Sequence, residues 1–283
     1  MSGSYRSGAA VRRRSVRGWT ACAGAAASLA ILAAGCTIPS GGSARTSTIT
    51  STVTVEPAPE LQTGDWARAV DAVEQDTGAV VAVAWSDGGV AGSLSDVTAW
   101  STIKVPLSIA AARLHPGTQP SIDAAIMRSD NDAARQLWEH LGGGEQAAQA
   151  VEAVLREAGD PTEVQPFVTR PEFSAFGQTQ WGFVEQAQFA SHLPELEASD
   201  AVLAPMQAID PSQAYGLGRL PGVAFKGGWG PDTQGRYVVR QFGVVDGRGV
   251  AIAAMAPDGT YESAQVILDR LASEVVAPQV GVW

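Results

Sequence analysis

The sequence predicts an α/β (α+β) domain in which an antiparallel sheet, built from N- and C-terminal strands and flanked by helices, carries an inserted all-helical region. Three observations predict it. A short apolar run, Ala79-Val80-Val81-Ala82-Val83-Ala84-Trp85, stands near the start of the foldable part. Two alternating segments, Arg236 to Val245 and Gly249 to Ala256, stand near the end and are joined across Asp246-Gly247. Between these ends the chain is Ala-rich and helical in period. The first run covers its edges by pairing with the last two segments, which leaves the helices as an insertion.

The elements follow in order. Arg12, Arg13, Arg14 and Arg17 precede an apolar stretch from Trp19 to Ala34, the pattern of an export signal. Leu32-Ala33-Ala34-Gly35-Cys36 resembles the lipobox of bacterial lipoproteins, although the place three before the cysteine is Ala33 and not Leu. That resemblance implies a signal peptide over residues 1–35 and a diacylglycerol on the Cys36 thiol. The alternatives are an ordinary secretory signal or an uncleaved anchor. Cys22 would leave with the signal, so Cys36 is the one mature cysteine and no intrachain disulfide forms. Residues 36–61 are rich in Ser, Thr, Gly and Pro and read as a flexible tether.

Residues 62–283 read as one domain. A helix is expected around Trp66 to Val73, then the strand at 79–85, then a turn-rich segment over 86–100. Helices are expected near 102–114, 121–128, 131–142 and 145–158, with breaks at Pro116-Gly117 and at Gly142 to Gly144. Residues 159–180 read as loop and 181–193 as helix. An amphipathic helix over 261–275 follows the two terminal strands.

Charge narrows the partners. The chain carries 19 Lys and Arg against 29 Asp and Glu, a net charge of −10. Loss of residues 1–35 takes five Arg and no acid, so the mature value is −15. Such a surface repels phosphate backbones, and no nucleic-acid partner is expected. With one mature cysteine and with His115, His140 and His192 scattered outside every motif, neither a metal nor a cofactor is expected.

Ser101-Thr102-Ile103-Lys104 is S-x-x-K opening a helix. Residues three apart share a helix face, so the amine reaches toward the hydroxyl. The helix N-terminus favours a developing oxyanion, and a desolvated neutral lysine can take the serine proton. The chain has 17 Arg and two Lys, at 104 and 226. Arginine cannot deprotonate, so lysine kept at two places points to chemistry. Ser129-Asp130-Asn131 offers a hydroxyl and an amide, or else is a helix cap. Lys226-Gly227-Gly228 is either a strand that lets a ligand backbone approach at Gly228 or a glycine turn.

The three motifs in this order resemble class A β-lactamases and penicillin-binding relatives over about residue 62 to the C-terminus. The resemblance implies a β-lactamase/transpeptidase-like fold and an acyl-serine hydrolase. Ser101 would be acylated by a β-lactam or a D-Ala-D-Ala-like, peptidoglycan-type substrate, with Lys104 as base and Ser129 as proton shuttle. Asn131 would bind the substrate amide, Lys226 its carboxylate, and the backbone N–H groups of Ser101 and Trp229 its oxyanion. Arg236 is either a carboxylate-binding arginine or a strand-edge charge.

Three departures bear on function. Ser101 and Ser129 stand 28 residues apart, a shorter gap than in the family, which implies an open cleft. Gly227 replaces the family's hydroxyl. Arg170-Pro171-Glu172 has the spacing of the deacylation loop, but no Asp follows to pair with Arg170, so Glu172 is either the deacylation base or a solvated acid. The expectation is a monomeric serine hydrolase anchored by lipid on the extracytoplasmic face of a membrane. The alternative is a weakly catalytic cell-envelope binding protein on the same fold.

Overall fold

The computed structural model describes residues 63–281. The expected signal (1–35), tether (36–61) and lipidation site Cys36 lie outside the described residues. Five strands form one antiparallel sheet: β1 Val80–Trp85, β2 Gly89–Ala91, β3 Ala224–Pro231, β4 Tyr237–Val245 and β5 Arg248–Met255. Their order is β2-β1-β5-β4-β3, so the first long strand pairs with the last, as its need for edge partners predicts. Asp246 and Gly247 both take positive φ (50° and 74°) between β4 and β5, which matches a tight hairpin to the right-handed twist of its strands.

The sheet is buried on both faces. Val81, Val83 and Trp85 turn toward α1 (Thr63–Thr77) and α8 (Tyr261–Arg270), packing with Val70, Val73, Ile252 and Leu268. Ala82 and Ala84 turn the other way, with Val238, Phe242, Ala251 and Ala253, toward the inserted helices. A strand covered on both sides needs apolar residues at every place, which is why β1 shows no alternation.

The insertion holds α2 Lys104–Leu114, α3 Gln119–Met127, α4 Asn131–His140, α5 Gly144–Glu157, α6 Phe183–His192 and α7 Asp200–Gln207. Trp181, Phe189 and Phe242 seal α6 to the sheet with ring centroids 5.3–6.2 Å apart. Two elements were not expected: β2, three residues long, and α7, which is short and contains Pro205. The last helix stops at Arg270 and continues as a π-helical turn, Leu271–Val276, instead of running unbroken to 275.

The loop between α5 and α6 is closed at its base by a buried acid. Asp160 accepts from the Trp181 indole N–H at 2.6 Å and from the Thr162 amide at 2.8 Å. Arg156 holds the Asp160 carbonyl at 2.6 Å. Both ends of the loop are thus tied together beside the cleft. Among the described residues no helix is long and apolar enough to cross a membrane.

Candidate active site

The nucleophile candidate stands at the start of the insertion's first helix. Trp100–Ile103 form a 3-10 turn that runs directly into α2. Trp100 takes φ 51°, a left-handed conformation that a bulky residue adopts at a cost. Strain of this kind persists where the surroundings enforce it, and it turns the chain sharply one residue before Ser101. Ser101 stays partly exposed, while Lys104, one turn on, is 1% exposed.

Ser129 also takes a left-handed φ, 56°. The cap of α4 is Asp130, whose carboxylate accepts from the Ala133 amide at 2.8 Å. That leaves Ser129 and Asn131 free for other partners. The Lys104 amine donates to the Ser129 carbonyl (2.6 Å) and the Asn131 Oδ1 (2.7 Å), and at longer range to the Asp130 carbonyl (3.3 Å) and the Ser129 Oγ (3.4 Å). From β3, Lys226 donates to the Ser129 Oγ at 3.0 Å and to the Gly227 carbonyl at 2.7 Å. Two amines from distant parts of the chain therefore meet at one hydroxyl. Among the described residues no hydrogen bond joins the Ser101 Oγ to either amine.

Burial sets the proton affinity of both lysines. Every partner above is a carbonyl, amide or hydroxyl oxygen, and none is a carboxylate. Desolvation pulls Lys104 down from 10.5 to about 7, opposed in part by the Asp130 charge. Lys226 is held well below the ordinary lysine value by complete burial and then by the neighbouring Lys104. The Lys104 amine therefore exchanges its proton near neutral pH, which is what a base for a serine hydroxyl requires.

The glycines of β3 do different work. A Cβ at Gly228 would lie 2.8 Å from the Ser101 amide nitrogen and 2.9 Å from that of Thr102, so the strand rests directly against the turn that carries Ser101. At Gly227 a Cβ would meet nothing nearer than 3.8 Å, and its neighbours are Tyr215, Gln241 and the Arg240 carbonyl. Gly228→Ala is expected to cost about 1–3 kcal/mol through backbone displacement. Gly227→Ala is expected to be neutral or to stabilise by about 0.5 kcal/mol, since glycine weakens a strand. Thermal unfolding of the two variants checks the contrast.

Ser101, Ser129, Asn131, Glu172 and Trp229 line one cavity of about 860 Å³. Lys104 and Lys226 lie behind its wall, and Gly228 lies beneath it. Glu172 is exposed on the loop that forms the far side. Arg236 is elsewhere: it is held in the β3–β4 turn by Asp232 at 2.9 Å, half exposed, and is not among the lining residues. Among the described residues no group of three His, Cys, Asp or Glu side chains gathers to hold a metal ion.

Two residues that motif reading passed over organise this site. Gln178 ties the loop's backbone together. Its Oε1 accepts from the Arg170 amide (2.7 Å) and from Thr169, while its Nε2 donates to the carbonyls of Arg170, Phe173 and Ser174. Arg170 is thereby free to bind the Pro231 carbonyl at 2.7 Å, which fastens the loop to the end of β3, and to lie over the Phe173 ring.

Arg240 is the other. It pairs with Gly228 across β3 and β4 and is fully buried. Its guanidinium donates to the carbonyls of Val97 (2.9 Å), Thr98 (3.0 Å) and Trp181 (3.0 Å) and to the Gln186 Oε1 (2.7 Å). Gln186 in turn donates to the Thr102 hydroxyl at 2.9 Å. This network fixes the segment leading into Ser101. Burial draws Arg240 down to about 9, with the Asp96 charge opposing. Arg240→Met is expected to lower stability by about 2 kcal/mol or more, because several buried acceptors lose their donor. Arg240→Lys should not restore it, since an ammonium cannot span the same fork. Chemical denaturation of the three proteins measures this.

No family model matches the sequence. No curated protein matches it either. Solved structures do match the fold. A class A β-lactamase from Bacteroides cellulosilyticus superposes with a TM-score of 0.60 at 15% identity, covering 76% of this chain and 97% of that one. The chromosome-encoded β-lactamase of Vibrio parahaemolyticus gives 0.57 at 16% identity, over 75% and 97% of the two chains. A class A β-lactamase from Mycobacterium abscessus gives 0.57 at 16% identity, over 77% and 100%. Sheet order, inserted helices and these superpositions agree that the chain has the fold of class A β-lactamases.

Proposed function

We propose that the chain is an acyl-serine hydrolase acting on β-lactams or D-Ala-D-Ala-like peptides, exported and held by lipid on Cys36 at the extracytoplasmic face of a membrane, as a monomer. The observation that carries the catalytic part is the meeting of Lys104 and Lys226 at the Ser129 hydroxyl, behind the cavity that Ser101 lines. In this reading the Ser101 Oγ attacks the substrate carbonyl as its proton passes to the neutral Lys104 amine. The backbone N–H groups of Ser101 and Trp229 hold the oxyanion. The Ser129 hydroxyl then relays a proton to the leaving nitrogen while Lys226 keeps that hydroxyl oriented, and Asn131 holds the substrate amide. Water releases the acyl group.

Deacylation is the slow step of this proposal. Glu172 sits on the cavity's loop side as an exposed acid, and the gap between Ser101 and Ser129 contains two helices, α2 and α3. Intact mass after incubation with benzylpenicillin should rise by one penicilloyl group, and the adduct should persist for minutes or longer. A chain that stays unmodified with penicillins, cephalosporins and fluorophosphonates contradicts the proposal.

One observation favours a second reading, a binding protein of little activity. The Lys104 amine is engaged by the Ser129 carbonyl and the Asn131 amide oxygen, and not by Ser101. Nitrocefin turnover that depends on Ser101 rules this second reading out.

A further inference from the structure

The loop wall of the cavity carries an observation that acylation alone does not use. Phe167 and Val168 are 58% and 55% exposed, although both are large and apolar. Their loop is nonetheless held in place. Gln165 donates through its amide to the Thr179 hydroxyl (3.0 Å) and through its side chain to the Phe167 carbonyl (2.8 Å). Gln178 and Arg170 fasten the residues that follow. Both exposed side chains line the cavity that holds Ser101. Apolar residues kept in the open on the wall of such a cavity mark a surface that a ligand covers. Trp100 and Phe173, packed edge to face at 5.0 Å, continue this wall toward Ser101.

Charge on the lining is sparse and balanced. Among the described lining residues the cation is Arg135, engaged by Asp132 at 2.8 Å, and the acid is Glu172. Arg236 is tied to Asp232 away from the cavity, and Lys226 is fully buried behind Ser129. A donor that needs a cation for its carboxylate finds little here, whereas an uncharged donor with a long apolar arm finds a matching wall.

We propose that Ser101 also turns over uncharged carboxylic esters whose acyl part is a long alkyl or aryl group, seated on Phe167 and Val168. The inference rests on the acyl-serine reading above. The Ser101 Oγ adds to the ester carbonyl and its proton goes to Lys104. The ester C–O bond breaks, and the alcohol leaves with a proton relayed by Ser129. Water then adds to acyl-Ser101, releasing the carboxylic acid and restoring the serine hydroxyl.

The test uses p-nitrophenyl esters from acetate to octanoate with the full chain, below micellar concentrations. Each methylene that reaches the wall raises kcat/KM by about fourfold when well buried. The expected climb from acetate to octanoate is at least about tenfold. Phe167→Ser with Val168→Ser should cut the octanoate-to-acetate ratio at least about fivefold, and Phe167→Leu should keep it. A flat or falling series, or a climb that survives the double substitution, overturns the inference while Ser101-dependent acetate turnover leaves the acyl-serine reading standing. A fluorophosphonate adduct without ester turnover has the same meaning. Neither adduct nor Ser101-dependent turnover overturns both.

Discussion

Ser101→Ala is expected to lose penicilloyl labelling and nitrocefin turnover by at least about a thousandfold, leaving the fold intact. The side chain is partly exposed, and its hydroxyl makes no hydrogen bond among the described residues, so removing it breaks nothing structural. The loss follows from chemistry alone: no other hydroxyl on the cavity stands at the opening of α2, where backbone N–H groups face a developing oxyanion. Ser129 also lines the cavity, but both lysines hold its oxygen or carbonyl. Melting curves that match wild type, together with loss of labelling, separate this from unfolding.

Lys104→Met is the second large effect. Acylation is expected to slow by about 10²–10⁴-fold, the usual worth of a positioned base. Lys104→Arg should not rescue it, because guanidinium stays protonated. In the wild type the labelling rate should fall as pH drops through about 7, since the ammonium form has no lone pair, and should level off above it. The stability consequence has a definite sign. The folded value lies below the ordinary 10.5, so protons bind the unfolded chain first. The stability contribution of the neutral amine is full above 10.5, declines as pH falls from about 10.5 to about 7, and is constant below. Melts of wild type and Lys104→Met at pH 7 and pH 9 should differ in their pH dependence in that sense.

Much of the fold was legible because both ends of the chain follow simple periods. The run at 79–85 and the two C-terminal segments announced strands, and the Ala-rich middle announced helices. β2 escaped because three residues, Gly89–Ala91, carry no period. α7 escaped because Pro205 stands inside a short helix, where its ring argues against helical structure. As a pattern, β3 is nearly invisible: Lys226-Gly227-Gly228 interrupts any alternation, and it was placed through its resemblance to a known motif.

The site was legible to the extent that its chemistry sits in motifs. Scarce lysine pointed to positions 104 and 226, and both amines do meet at Ser129. Asp130 shows how a cap and a site coexist, since the cap falls on the middle residue of Ser129-Asp130-Asn131. Arg240 did leave a signal. It shares a strand face with Val238 and Phe242, both buried, so a cation there had to be a buried cation in need of partners. Gln178 left none, because a glutamine among loop residues announces no particular partner. Arg236 was two-sided in the sequence, and the structure places it in a turn with Asp232.

The most direct measurement is the position of the acyl group. Wild-type protein is treated with benzylpenicillin at pH 8, quenched, digested with trypsin and sequenced by mass spectrometry. A single penicilloyl group on Ser101, in the peptide that ends at Lys104, is the predicted result. Modification at Ser129 or another residue, or a chain left unmodified while still folded, contradicts the convergence of amines and hydroxyls on which the proposed chemistry stands.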